Sequence, residues 1–320
     1  MRIKTLGLCA TALVFALCLL SPHTFAQQST SSQSGSANAP RPQGQNPNGM
    51  HIYIRAGLKS HGPGLHDYPQ FLADWSKILT QHGAVVDGSL HAPNAAELEH
   101  ADVLVMYKGD AGFMSDSEKA TLDAFVKRGG GLVSLHDVLC GPDPAYFATL
   151  VGGAKKHGEV NYTLGAEIPY TIVDSSSPVM QGMSGLTIYD EAFFNMTWAK
   201  DPSIHVLATT VIAGTPSAGT HKGKIAPQIW TYEHTIPGGQ PARAFVWMQG
   251  HTYANFANPQ IQAMLLRGIA WAAQKPVDEL VDYKAPPSTP RISLIAPRID
   301  KMQEQVLGTD GQLYFSERGK

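Results

Sequence analysis

Positions 51–56 form a short β-type run, and from Phe71 the apolar positions switch to helical spacing through Leu72, Trp75, Ile78 and Leu79. A second β-type stretch follows at 84–86 and a third at 102–107. Ser115 then stands three residues before Glu118, a capping-box signature, and opens a helix whose buried face carries Leu122, Phe125 and Val126. Gly129, Gly130 and Gly131 end that helix, and 132–135 is another apolar strand. Alternating β and α units predict a doubly wound, mostly parallel α/β sheet with helices on both faces.

The pattern changes between 160 and 245. There the strand-like runs 162–173, 205–211 and 226–234 are separated by loops, which predicts a β-rich insertion that adds antiparallel strands. The run 243–248 returns to the parallel set. It leads through Gly250 and His251 to a last helix with Asn258 as cap, Pro259 in the first turn, and Ile261, Met264, Leu265, Ile269 and Trp271 facing inward.

The flanks differ from this body. Arg2 and Lys4 precede an apolar run at 6–20, and Ala26 offers a small residue before a cleavage point, so 1–26 reads as a secretory signal peptide and the chain as periplasmic or secreted. Residues 27–49 are Ser, Gln, Asn, Gly and Pro without periodicity, a flexible leader. The domain then occupies 50–275. Pro276 begins a C-terminal extension, 276–320, whose Pro-rich stretch at 284–290 is a linker or an arm along the domain surface.

The chain has 43% hydrophobic and 16% charged residues, with 24 basic and 26 acidic side chains and a formal charge of −2. That composition buries a sizeable core and gives no basic field for nucleic acid or anionic membrane. After signal cleavage no membrane segment is expected. Of three cysteines, Cys9 and Cys18 lie in the signal run, leaving Cys140 without a disulfide framework. A homo-oligomer is compatible with this composition.

Ligands of open α/β sheets bind beyond the carboxyl ends of the strands. After the first strand come His61, Gly64, His66 and Asp67; after the third, Lys108 and Asp110; after the 132–135 strand, His136 and Asp137; after the last, His251. The insertion adds Glu191, beside Phe193 and Phe194, and Asn195. Four strand exits thus bring imidazole, carboxylate and ammonium groups to one rim. Each has a plainer reading: Asp67 as a helix N-cap, His136 as a hydrogen-bonded core histidine, Glu191 as a solvated loop acid, the aromatics as core. Cys140 lacks a Gly-x-Cys-x-Gly elbow and reads as a small buried residue, so a cysteine nucleophile is disfavoured.

His61, His66, Asp67, His136, Glu191 and His251 are metal-ligand types. The chain nevertheless has no His-Glu-x-x-His, no Cys-x-x-Cys and no Asp-rich calcium loop. The expectation is therefore no cofactor, with a divalent metal on ligands from distant loops as the alternative. Phosphate-loop and dinucleotide glycine motifs are also missing, leaving nucleotide binding without support.

The run Lys59-Ser60-His61-Gly62-Pro63-Gly64-Leu65-His66-Asp67-Tyr68-Pro69, the run from Arg128 through Gly129, Gly130 and Gly131 to His136, the Asp190-Glu191 pair with Phe194-Asn195-Met196, and Gly250-His251 ahead of Arg267-Gly268-Ile269-Ala270-Trp271 resemble the trehalose-utilisation (ThuA-like) family. The resemblance covers about 50–275. It implies a flavodoxin-like fold similar to class I glutamine amidotransferases without their cysteine: His251 follows a strand as the amidotransferase histidine does, while the elbow holds His136 or Asp137. Glutamine hydrolysis is then ruled out. The resemblance also implies sugar metabolism, on trehalose-type disaccharides and their 3-keto derivatives.

Two readings follow. In the first, an exported enzyme uses His66, Asp67, His136, Glu191 and His251 as acid-base groups on a sugar or 3-keto-sugar, by isomerisation, epimerisation or elimination. His61, Gly64, Lys108, Asp110, Asp137 and Asn195 then hold the substrate, and Lys108 polarises its carbonyl. In the second, the same pocket belongs to a noncatalytic carbohydrate-binding protein. A metal-dependent hydrolase is a third option.

Overall fold

The structure, a computed structural model, describes residues 48–200, 203–284, 302–307 and 313–318. The signal peptide, nearly all of the leader and most of the C-terminal extension lie outside the described residues. The body opens with β1 (His51–Ala56), α1 (Tyr68–Gln81), β2 (Val85–Ser89), α2 (Ala95–Leu98), β3 (Val103–Tyr107), α3 (Asp116–Lys127) and β4 (Gly131–Leu135). After it come β5 (Cys140–Gly141), α4 (Pro144–Val151), β6 (Gly153–Lys156), β7 (Ala166–Pro169), β8 (Thr171–Ile172), β9 (Thr187–Asp190) and β10 (Thr197–Trp198). The chain returns through β11 (Ile204–Val211), β12 (Ile225–His234), β13 (Ala242–Trp247) and α5 (Pro259–Ala272). A hairpin of β14 (Met302–Leu307) and β15 (Leu313–Arg318) is antiparallel.

The main sheet has the order β2-β1-β3-β4-β13-β12-β11-β8. Pairs from β2 to β13 are parallel, and those from β13 to β8 are antiparallel. Counted along the chain, the parallel strands run 2-1-3-4-5, the flavodoxin-like order. The antiparallel edge comes from the insertion.

Side-chain alternation explains why helices cover both faces. Ile52, Ile54, Val103, Val105, Val133, Phe245 and Trp247 face a core closed by Phe71 and Trp75 of α1 and by Ile261 and Met264 of α5. Tyr53, Leu104, Met106, Leu132, Ala244 and Val246 face the other core, closed by Leu122 and Phe125 of α3 and Phe147 and Leu150 of α4. Each fully buried large side chain contributes about 1.5–3 kcal/mol. The capping box at Ser115 and Glu118 forms in both directions, and Asn258 accepts the N–H groups of Gln260 and Ile261. The segment after Pro276 continues the packing: Leu280 is buried and its carbonyl lies 2.6 Å from Nδ1 of His82.

Two expectations need correction. The run 162–173 is not one strand. It bends at Pro169, where β7 leaves its pairing with β9 and β8 joins the main sheet beside β11; a proline cannot donate to a continuous ladder. Asp67 occupies the N-cap position of α1 but makes no side-chain cap bond, because its carboxylate pairs with Lys59.

Candidate functional site

Three strand exits meet at the carboxyl edge of the parallel sheet. His66 ends the loop after β1, His136 is the first residue beyond β4, and His251 lies beyond β13. The loops are tied to one another: the His66 N–H donates to the His251 carbonyl at 3.0 Å, the Tyr253 N–H donates to the Gly64 carbonyl at 2.9 Å, and Leu65 bridges Thr252. His66 Nε2 lies 2.9 Å from His136 Nε2 and 2.8 Å from His251 Nδ1. Glu191 Oε2 approaches at 3.8 Å from His136 Nε2 and 3.5 Å from His251 Nδ1. His66, His136 and Glu191 are buried and His251 is half-buried.

Backbone conformation marks two of these places: His66 (φ 48°) and His136 (φ 56°) adopt the left-handed region, which disfavours side-chain-bearing residues, as do Asp110, Asn195 and Gln274 outside the histidine cluster. The fold spends conformational energy to hold these turns. Gly250, with φ 129°, precedes His251, and a Cβ there would meet Phe256 at 3.2 Å and the Cβ of His136 at 3.4 Å.

Electrostatics keep the rings neutral. Burial, then the neighbouring His136 and His251, push His66 far below the usual imidazole value. Burial lowers His136 to about 3 and His251 to about 4. Burial and the charges of Asp190 and Asp137 raise Glu191 to about 8. Phe193 stacks on His136 with centroids 5.1 Å apart, a dry wall on that side.

The other expected site residues divide. His61, at the exposed mouth, packs edge-on against His66, with centroids 4.0 Å apart. Lys108, half-buried, donates to the Asp110 carbonyl at 3.2 Å, and burial brings its ammonium down to about 8. Asp110 and Asp137 gather with Cys140 in a neighbouring cluster, where Asp110 also contacts His157 at 2.6 Å. Cys140 is buried, and burial pushes its thiol well up. Asp67 is turned to Lys59 instead of the imidazoles. Asn195 lines a separate cavity of about 240 Å³ with Phe193, Phe194, Trp198 and Lys224.

Two residues escaped the sequence reading. Asp190, fully buried, accepts the N–H groups of Glu191 and His251 on Oδ1 at 2.7 and 3.0 Å. Its Oδ2 accepts from Gly250, Thr252 and Asn255 at 3.2, 3.3 and 2.6 Å. This carboxylate fixes both Glu191 and the His251 turn. In the sequence Asp190 stands only as the last residue of β9 beside Glu191, with no local mark of its role. Lys155 is buried, with Nζ 5.2 Å from the centroid of Phe193 and 5.4 Å from that of Tyr162. Strand alternation in β6 separates it from exposed Lys156 and could have flagged it.

The trehalose-utilisation family (ThuA) matches the sequence over residues 60–272. Among solved structures, a ThuA-like protein of Parabacteroides merdae ATCC 43184 is similar with a TM-score of 0.54 and 18% identity, over 75% of this chain and 94% of that one. A ThuA-like protein of Bacteroides uniformis ATCC 8492 also has a TM-score of 0.54, with 14% identity over 73% and 94% of the two chains. At these identities the likeness is one of fold. No curated protein matches the sequence.

Proposed function

The chain belongs to the trehalose-utilisation (ThuA) family, and from that premise we propose that it is a sugar-processing enzyme which moves a proton at the carbon beside the carbonyl of a keto-sugar. The observation that carries this reading is the convergence of the Glu191 carboxylate on the imidazole nitrogens of His136 and His251, at 3.8 and 3.5 Å, on the sheet edge where ligands of this architecture bind. In its ionised form, which predominates only above about pH 8, Glu191 takes the proton as the C–H bond breaks, the electron pair passes into the carbonyl, and the resulting enolate oxygen is stabilised by polar groups of the rim. Protonation of the opposite face by solvent water gives epimerisation, and loss of a β-substituent gives elimination. His61 at the exposed mouth and Lys108 beside Asp110 supply donors for sugar hydroxyls. His66 and His251 do not serve as general acids in this scheme, since burial holds their rings neutral.

The encounter takes place outside the cytoplasm in this proposal, which rests on Arg2, Lys4 and the apolar run at 6–20. N-terminal sequencing of the exported protein should then begin at Gln27. The direct test of the chemistry is incubation of 3-keto-trehalose and related 3-keto-sugars with the protein in D₂O, followed by NMR. Deuterium entering the carbon next to the carbonyl is the expected result. Saturable sugar binding with no exchange and no product would overturn the enzymatic reading in favour of a carbohydrate-binding protein.

A further inference from the structure

The ring nitrogens of His66, His136 and His251 lie within 4.8 Å of one another, and hydrogen bonding does not explain how they face. His136 Nδ1 sits 3.2 Å from the Met248 carbonyl, which only accepts, so this nitrogen carries the proton and Nε2 presents a bare lone pair. His66 Nε2 has two close nitrogen neighbours and at most one proton. If it is bare, it meets the bare His136 Nε2 at 2.9 Å. If it is protonated and donates to His136, His251 Nδ1 is left 2.8 Å away without a linear bond. No arrangement of neutral rings gives both contacts a good hydrogen bond.

A cation at the centre satisfies all three lone pairs. Metal–imidazole bonds of about 2.0–2.1 Å place two ligand nitrogens about 2.9 Å apart at a right angle and about 3.3 Å apart at the tetrahedral angle. The 2.9 and 2.8 Å separations fall at the right-angle end of that range. The outer nitrogens are held as metal-binding histidines require: His136 Nδ1 by the Met248 carbonyl, and His66 Nδ1 by Ser60 Oγ at 3.0 Å. Ser60 Oγ also lies 3.0 Å from His61 Nδ1, so its single hydroxyl proton can go to His61 while it accepts from His66. Three imidazoles select a first-row transition metal over magnesium or calcium, which prefer oxygen. The absence of a compact ligand motif carries no weight here, because each ligand comes from a different strand exit.

We propose that His66, His136 and His251 are the protein ligands of one divalent transition-metal ion, with Glu191 beside the coordination position left for water or substrate. The inference concerns the site read above as catalytic and rests on that reading only for the ion's task, polarising the sugar carbonyl.

The test uses the full chain stripped with a chelator and titrated with zinc, cobalt or manganese chloride by calorimetry, with cobalt also followed by its visible absorption. One equivalent per chain is expected. His66→Ala and His136→Ala should each weaken binding at least about 100-fold and abolish the cobalt spectrum, and Ser60→Ala, which leaves the ligands in place, should weaken it about 10-fold or more. Cys140→Ser, in the neighbouring cluster, should leave the affinity unchanged. Failure of all three ions to bind stoichiometrically would overturn the proposal, as would uptake indifferent to Ser60 and both histidines, or uptake lost with Cys140. Near-UV circular dichroism separates a lost ligand from a lost fold. Deuterium exchange on keto-sugars is read separately, so a protein that binds the ion and leaves every sugar untouched would sink the function and keep the metal.

Discussion

The carboxylate of Asp190 receives the backbone N–H of His251 at 3.0 Å, across 61 positions of chain. Four further N–H donors converge on the same carboxylate, and it does not enter the pocket itself. Replacement by Ala leaves four of the five donors without their acceptor, Asn255 Nδ2 keeping the Tyr189 carbonyl at 3.0 Å, and each buried donor so stranded costs about 1–3 kcal/mol where water cannot reach it. Asp190→Ala is therefore expected to lose roughly 3–5 kcal/mol of stability in urea unfolding. A loss below about 1 kcal/mol would mean that water substitutes for the carboxylate and that the turn needs no such clamp.

Glu191→Gln keeps the size and most of the packing of the side chain while removing its capacity to accept a proton. Deuterium exchange into a responsive keto-sugar should fall by about 10²- to 10⁴-fold with the melting temperature nearly unchanged. Exchange at the parental rate would assign the proton transfer to another group.

Lys108 gives up its proton at about 8 in the folded chain against 10.5 for a free lysine, with burial as the leading cause and the Arg55 charge next. Between these values the unfolded chain binds more protons, so stability rises with pH across that window; below pH 8 the full penalty is present. Lys108→Met removes it. At pH 7 the variant should gain about 1–2 kcal/mol, a figure already reduced for the partial exposure of this side chain. The advantage should shrink toward zero near pH 10.5, where both states are deprotonated. Guanidinium unfolding of the two proteins at pH 7 and pH 10 gives the comparison, and a constant difference would exclude the ammonium as its source.

Gly250→Ala places a methyl group in a φ 129° turn, 3.2 Å from Phe256, 3.3 Å from Tyr107 and 3.4 Å from the Cβ of His136. A cost of about 2–3 kcal/mol is expected from the strained backbone and the displaced neighbours. The readout is the urea midpoint, and a near-neutral result would show that the turn relaxes freely.

Much of this molecule is written in local pattern. Ser115 with Glu118, and Asn258 with Pro259, announce helix starts through contacts within a few residues, and they form as the spacing implies. The parallel strands are legible because burial on both faces makes them continuous apolar runs. His66, His136 and His251 follow from asking what leaves each strand at its carboxyl end. The role of Asp190 is not local: its donors come from its own neighbour and from a turn some 60 positions on, so no window of sequence contains it. The same holds for Asp67, whose choice between capping α1 and pairing with Lys59 depends on where the loop folds. Helix α4 carries a start signal in Asp143 before Pro144, and Asp143 does accept the Tyr146 N–H, but the pattern does not announce it. Its apolar run is short enough to read as a strand.

His66 and His251 meet across 185 positions, with the entire insertion synthesised between them. A growing or truncated polypeptide that has not yet docked β13 holds His66 and His136 but lacks the third imidazole, and two such groups on a loose chain would retain the proposed ion poorly. Under the proposed coordination, occupancy of the centre would be a record of completed assembly: proteolytic nicking that frees β13 would release the proposed ion together with the turn that carries His251.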